Sequence, residues 1–110
     1  MSHAMKELTM TVSHGFHAIM TSRPGKGDEV VKLLLNAPSL SHDDCVVFLV
    51  GRSTANPDTV HVTEGWTSEQ AHRTFFATEP AQALVAALQP LLAGESRYTD
   101  EVPVGGKATF

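Results

Sequence analysis

The order of breaks along this chain limits its fold more than any single motif does. Seven segments with strand or helix periodicity follow one another, separated by proline, glycine or polar turns. Residues 16–22 alternate at period two, with Phe16, Ala18 and Met20 on one side and His17, Ile19 and Thr21 on the other. The run Arg23-Pro24-Gly25-Lys26-Gly27 stops that strand. Asp28 and Glu29 suit the start of a helix carrying Val30, Val31, Leu34 and Leu35, which ends at Asn36-Ala37-Pro38. Residues 45–50 form an unbroken apolar run, read as a central strand covered on both faces. Asn56-Pro57-Asp58 turns the chain into an antiparallel strand over 59–66. Thr67 is the expected N-cap of the next helix, with Gln70 three residues on as in a capping box. Pro80 opens a further helix over about 81–92, which Pro90 weakens, and 97–104 is the last strand.

This succession is β-α-β-β-α-β, the ferredoxin-like α+β arrangement: a four-stranded antiparallel sheet with helices on one face. The strands carry large apolar residues on both alternating sets, so the face without helices is expected to be covered by a second copy, giving a homodimeric α/β barrel. The expected organisation is an N-terminal arm over 1–14, one domain over 15–104 and a tail over 105–110. Thr9 to Val12 is a candidate short extra strand.

Composition removes several classes of function. Hydrophobic residues at 42% and charged residues at 18% suit a folded globule and argue against a disordered chain. A net charge of −4 with no run of five like charges speaks against a nucleic-acid partner. No apolar stretch approaches the roughly 20 residues that cross a bilayer, so no membrane partner is expected. The single cysteine, Cys45, excludes a disulfide framework and a cysteine-based zinc cluster. Together with an N-terminus lacking an apolar signal core, it points to a cytoplasmic protein.

Several side chains could carry chemistry. Glu64 and Trp66 share a strand face, and His72 follows in the next helix. An indole can stack on a planar ligand, and an imidazole titrates near neutrality and can take a proton. Glu64 could orient His72 or a water, or could form a structural salt bridge with Arg73 or Arg52. His14-x-x-His17 with His61 is a weak metal signal, lacking both helical spacing and a nearby carboxylate, and no metal site is expected. Cys45 is read as an inert buried thiol.

The opening Ala18-Ile19-Met20-Thr21-Ser22-Arg23-Pro24-Gly25-Lys26 and the later run Val60-His61-Val62-Thr63-Glu64-Gly65-Trp66-Thr67-Ser68-Glu69-Gln70-Ala71-His72 resemble the antibiotic biosynthesis monooxygenase family. The resemblance extends over roughly 16–104. It implies a dimeric α+β barrel and, in its enzymes, oxidation of a small planar phenol or quinol with O2 without flavin, metal or other cofactor. On that implication His72, Trp66 and Glu64 are the catalytic candidates. Trp66, His61, His17, Phe48 and Phe76 are the substrate-binding candidates. The alternatives are a non-catalytic dimeric barrel that binds a small ligand, and a haem-degrading enzyme. The haem branch of the family uses an Asn, a Trp and a His. Trp66 matches that Trp, but the first strand holds no asparagine and no histidine follows His72.

Overall fold

A computed structural model of the protein describes residues 11–107. Most of the expected arm, 1–10, and the end of the tail lie outside the described residues, as does the first half of the candidate strand at 9–12; Thr11 and Val12 are not in a strand. The elements are β1 (His14–Thr21), α1 (Gly27–Leu34), a 3-10 turn (Pro38–Ser41), β2 (Cys45–Arg52), β3 (Thr59–Trp66), α2 (Glu69–Phe76), α3 (Glu79–Leu88), a second 3-10 turn (Gln89–Leu91) and β4 (Arg97–Glu101). The strands form one antiparallel sheet in the order β2-β3-β1-β4. This is the expected ferredoxin-like α+β fold. None of its described helices is long and apolar enough to cross a membrane.

One placement is corrected. β2 is an edge strand, not a central one. Its continuous apolar run puts Phe48 and Val50 on the helix side, opposite Glu64 and Val62, and Leu49 on the open side, opposite Thr63. Leu49 remains 47% exposed. A run apolar at every position reports two apolar faces, and says nothing about a neighbour along the sheet.

Element ends shift for local reasons. β1 starts at His14, paired with Trp66 and two residues ahead of the expected start. Ser68, not Thr67, caps α2 by accepting from Ala71 N. The Thr67 hydroxyl is spent on Asp44 Oδ1 at 2.8 Å. α3 closes at Leu88, short of the expected end, because Pro90 supplies no N–H to continue it. β4 stops at Glu101, two residues before Pro103.

The core lies between sheet and helices. Ala18, Met20, Val60 and Val62 from the strands meet Val30 and Leu34 of α1 and Leu88 of α3. Val30, Val60 and Val62 are fully buried, and each contributes about 1.5–3 kcal/mol relative to exposure. A second cluster joins Trp66, Phe75 and Ala81.

The glycine-rich segment after β1 is held by the β2–β3 turn. Lys26 gives α1 no side-chain cap. Instead, the Asp58 carboxylate accepts from Gly25 N at 3.1 Å and Gly27 N at 3.2 Å, satisfying amides that the helix itself cannot. These bonds, that from Gly25 first, hold the Asp58 carboxyl below the ordinary aspartate range. Gly25 needs its positive φ of 79°. At Gly27 a Cβ would stand 2.5 Å from the Pro57 carbonyl oxygen, which is backbone and has little room to retreat. Gly27→Ala is therefore expected to cost about 1–3 kcal/mol in urea unfolding. An unchanged midpoint would mean that the helix and the turn are not tightly joined here.

Candidate active site

Pleat alternation sorts the candidate side chains between two faces. Phe16 pairs with Glu64, Ala18 with Val62 and His14 with Trp66, so all six point toward the helices. β4 adds Tyr98 opposite Ala18 and Asp100 opposite Phe16 on the same side. α2 packs over this end of the sheet and directs His72 and Phe75 inward, one helical turn apart.

A cavity of about 380 Å³ opens between sheet and helices. Phe16, Phe48, Phe76 and Tyr98 supply aromatic wall, and Glu64 and His72 are its ionisable groups apart from the Tyr98 phenol. The rest of the lining is mainly aliphatic, from Met20, Leu34, Leu84 and their neighbours. A cavity of roughly 150 Å³ accepts a benzene, so this volume suits a fused-ring molecule. Phe16 and Tyr98 stack at 5.9 Å with their planes 15° apart, forming a flat edge. Tyr98 is 60% exposed and Phe76 50%, which places both at the mouth.

Behind this wall sits a buried polar chain. Trp66 Nε1 donates to Glu64 Oε1 at 2.8 Å. The same oxygen lies 3.7 Å from His72 Nε2, an ion-pair distance once the imidazole is protonated. Burial pushes the Glu64 carboxyl above its ordinary value, opposed by the Trp66 hydrogen bond and by His14. Burial, with His14 beside it, holds the His72 imidazole below the ordinary histidine value. Low dielectric thus disfavours either charge standing alone, whereas opposite charges on the two groups offset one another. A neutral imidazole facing an apolar cavity can accept a proton, and a carboxylate beside it can steady the resulting charge.

The candidates divide accordingly. Glu64, His72, Phe48 and Phe76 line the cavity. Trp66 is fully buried and does not. Its ring packs at 5.0 Å from His72, 5.1 Å from Phe75 and 5.4 Å from His42, so it has no free face on which a ligand could stack. Among the described residues, its one polar link to the cavity lining is the hydrogen bond to Glu64. His17 and His61 point to the opposite sheet face, because their strand positions have the other parity. The cavity does not reach them, and His17 Nε2 lies 3.0 Å from Glu101 Oε1. For the same reason His14 and His17 face opposite ways, so the His14-x-x-His17 set does not assemble. Glu64 pairs with neither arginine considered for it: Arg52 bonds to Asp28 and Arg73 to Glu69. Cys45 donates weakly to Val47 O, and burial, with Glu64 nearby, pushes its thiol up to about 11, which suits an inert group.

Phe16, Tyr98, Asp100 and His14 were not singled out for this site from the sequence. The alternation of β1 already set Phe16 with Ala18 and Met20. The contributions of β4 depend on its pairing with β1, which links positions 78 to 86 residues apart.

A family model described as antibiotic biosynthesis monooxygenase matches residues 15–87. Among solved structures, a candidate antibiotic biosynthesis monooxygenase from Chloroflexus aurantiacus J-10-fl is 28% identical, over 86% of this chain and 96% of its own, with a TM-score of 0.77. Another, from Caulobacter crescentus CB15, is 24% identical over 94% of this chain and 100% of its own, with a TM-score of 0.77. A third, from Deinococcus radiodurans, is 20% identical over 88% and 97%, with a TM-score of 0.74. The last two are similar in fold. No curated protein matches the chain.

Proposed function

The chain belongs to the antibiotic biosynthesis monooxygenase family, and from that premise we propose that it oxidises a small planar phenol or quinol with O2, the substrate itself supplying the electrons. One observation carries the reading: an apolar, aromatic-walled cavity holds a buried Glu64–His72 pair at its lining. The monooxygenase descriptions of its structural relatives agree with it.

In this mechanism the ring enters between Phe48 and the Phe16–Tyr98 edge. The His72 imidazole takes the phenolic proton, and the imidazolium is steadied by Glu64 at 3.7 Å. The phenolate passes one electron to O2. Phenoxyl radical and superoxide combine, forming a C–O bond, and the imidazolium returns its proton to the peroxide. Loss of the proton on the attacked carbon then breaks the O–O bond. One oxygen remains as a carbonyl and the other leaves as water, so the four electrons lost by the substrate are those gained by O2. The apolar lining keeps bulk water from competing for the phenolate.

Oxygen uptake by metal-stripped protein against a panel of polycyclic phenols and quinols tests this. Turnover that produces one quinone per O2 supports it. Ligands that raise the melting temperature with no O2 consumption would replace it with a non-catalytic binding barrel.

We also read the open sheet face as a self-association surface. It carries Leu49, Ile19 and Val47 and has no helix over it among the described residues. Light scattering is expected to give twice the chain mass, and Leu49→Lys to shift it toward one chain. A monomeric wild-type protein would overturn this.

A further inference from the structure

The mechanism above leaves one buried group unused. His14 is 5% exposed, and its Nε2 is buried without a hydrogen-bond partner among the described residues. That nitrogen lies 3.1 Å from Asp100 Oδ1, at ion-pair distance without the alignment of a hydrogen bond. The His72 ring stands 5.2 Å away, centroid to centroid. One donor atom each from His14, His72 and Asp100 lies within 4.8 Å of the other two. The three come from β1, α2 and β4 and line a smaller cavity with Phe16, Phe76 and Arg73.

We propose that His14, His72 and Asp100 form a binding site for a divalent transition-metal ion of the zinc class, with coordination positions left open to this cavity. Two imidazole nitrogens and one carboxylate are a donor set suited to such ions. Calcium and magnesium prefer all-oxygen surroundings. In a tetrahedral site with bonds of about 2.1 Å the donors stand roughly 3.4 Å apart, so the cluster must close slightly. Asp100 can supply that movement, since its side chain is 67% exposed on an edge strand. Arg73, the cation at the rim, pairs with Glu69 on its own helix. An unpartnered buried nitrogen is costly unless something completes it, and an ion does so here.

The site is separate from the proposed oxidation in what tests it. An ion bound there holds the His72 lone pair, so on that reading it would inhibit. Binding itself requires no turnover, and a protein that binds zinc but oxidises nothing would unseat the oxidation and leave this site standing.

The experiment is calorimetric titration of chelator-treated protein with Zn2+, followed by visible spectra with Co2+. One ion per chain is expected, with ligand-field bands from Co2+. Asp100→Asn and His14→Gln should each weaken Zn2+ binding at least ~10-fold, and His61→Gln, on the far face, should not. Asp100 is exposed, so its variant is expected to fold. Zn2+ affinity equal in wild type and Asp100→Asn, or no stoichiometric binding by wild type, would overturn the proposal.

Discussion

Replacing His72 by alanine is expected to lower kcat by ~10²–10⁴-fold, the range for losing a positioned general base. Of the ionisable groups lining the cavity, only the imidazole is a base in its neutral form near neutral pH; the Glu64 carboxyl could act as a base only while held as a buried negative charge. His72→Gln should fall by a similar factor, because an amide keeps the size and the hydrogen bonding but cannot accept a proton. Glu64→Gln should lose less, since its amide oxygen can still accept from Trp66 Nε1 and only the charge facing the imidazolium is gone. The pH profile gives a second readout. A base works in its unprotonated form, so kcat/KM should rise with pH through the His72 pKa. Burial and His14 depress that pKa, which puts the inflection below about 6.5 in chelator-treated protein. Unchanged turnover in both His72 variants would remove the residue from the mechanism, and an acid limb above about 6.5 would assign the base elsewhere.

The parts of this site that were legible in the sequence are local ones. Strand alternation in Thr59–Trp66 put Glu64 and Trp66 on one face, and helical spacing brought His72 to the same end of the sheet. Phe48 and Phe76 follow from the same two periods. What could not be read depended on pairing across the sheet. Whether Cys45–Arg52 is central or at an edge is decided by strand order, and its apolar pattern is the same in either case. Strand alternation already set His17 and His61 on the faces opposite Phe16 and Glu64; which of the two faces holds the cavity was not legible, and it is the one that excludes both histidines. His14 and Asp100 meet only because β4 lies beside β1, and β4 itself is exposed along its whole length, with no apolar stripe to announce it. Trp66 stands out in the sequence as a ring for stacking, but its burial was not legible there: packed among Phe75, His42 and His72 and bonded to Glu64, it offers no free face to a ligand.

That burial makes Trp66→Ala the largest stability change expected in the chain, about 3–5 kcal/mol, the range for emptying a buried aromatic site. The ring is fully buried in a cluster separate from the main core, so its neighbours have few groups with which to refill the space. Trp66 is the only tryptophan, so unfolding must be followed by circular dichroism, not by intrinsic indole fluorescence. Trp66→Phe separates packing from hydrogen bonding. It restores much of the volume but leaves Glu64 Oε1 without its indole donor. The stability loss should be smaller than for alanine. The Glu64 carboxyl, already raised by burial, should rise further, because the Trp66 bond is the main influence holding it down. Carbon-detected titration of the labelled glutamate reads this directly. An upward shift in Trp66→Phe, with the fold intact, would establish that the indole acts on the site through the carboxylate. A Glu64 titration indifferent to the substitution would reduce Trp66 to a packing residue and leave the Glu64–His72 pair to be explained by burial alone.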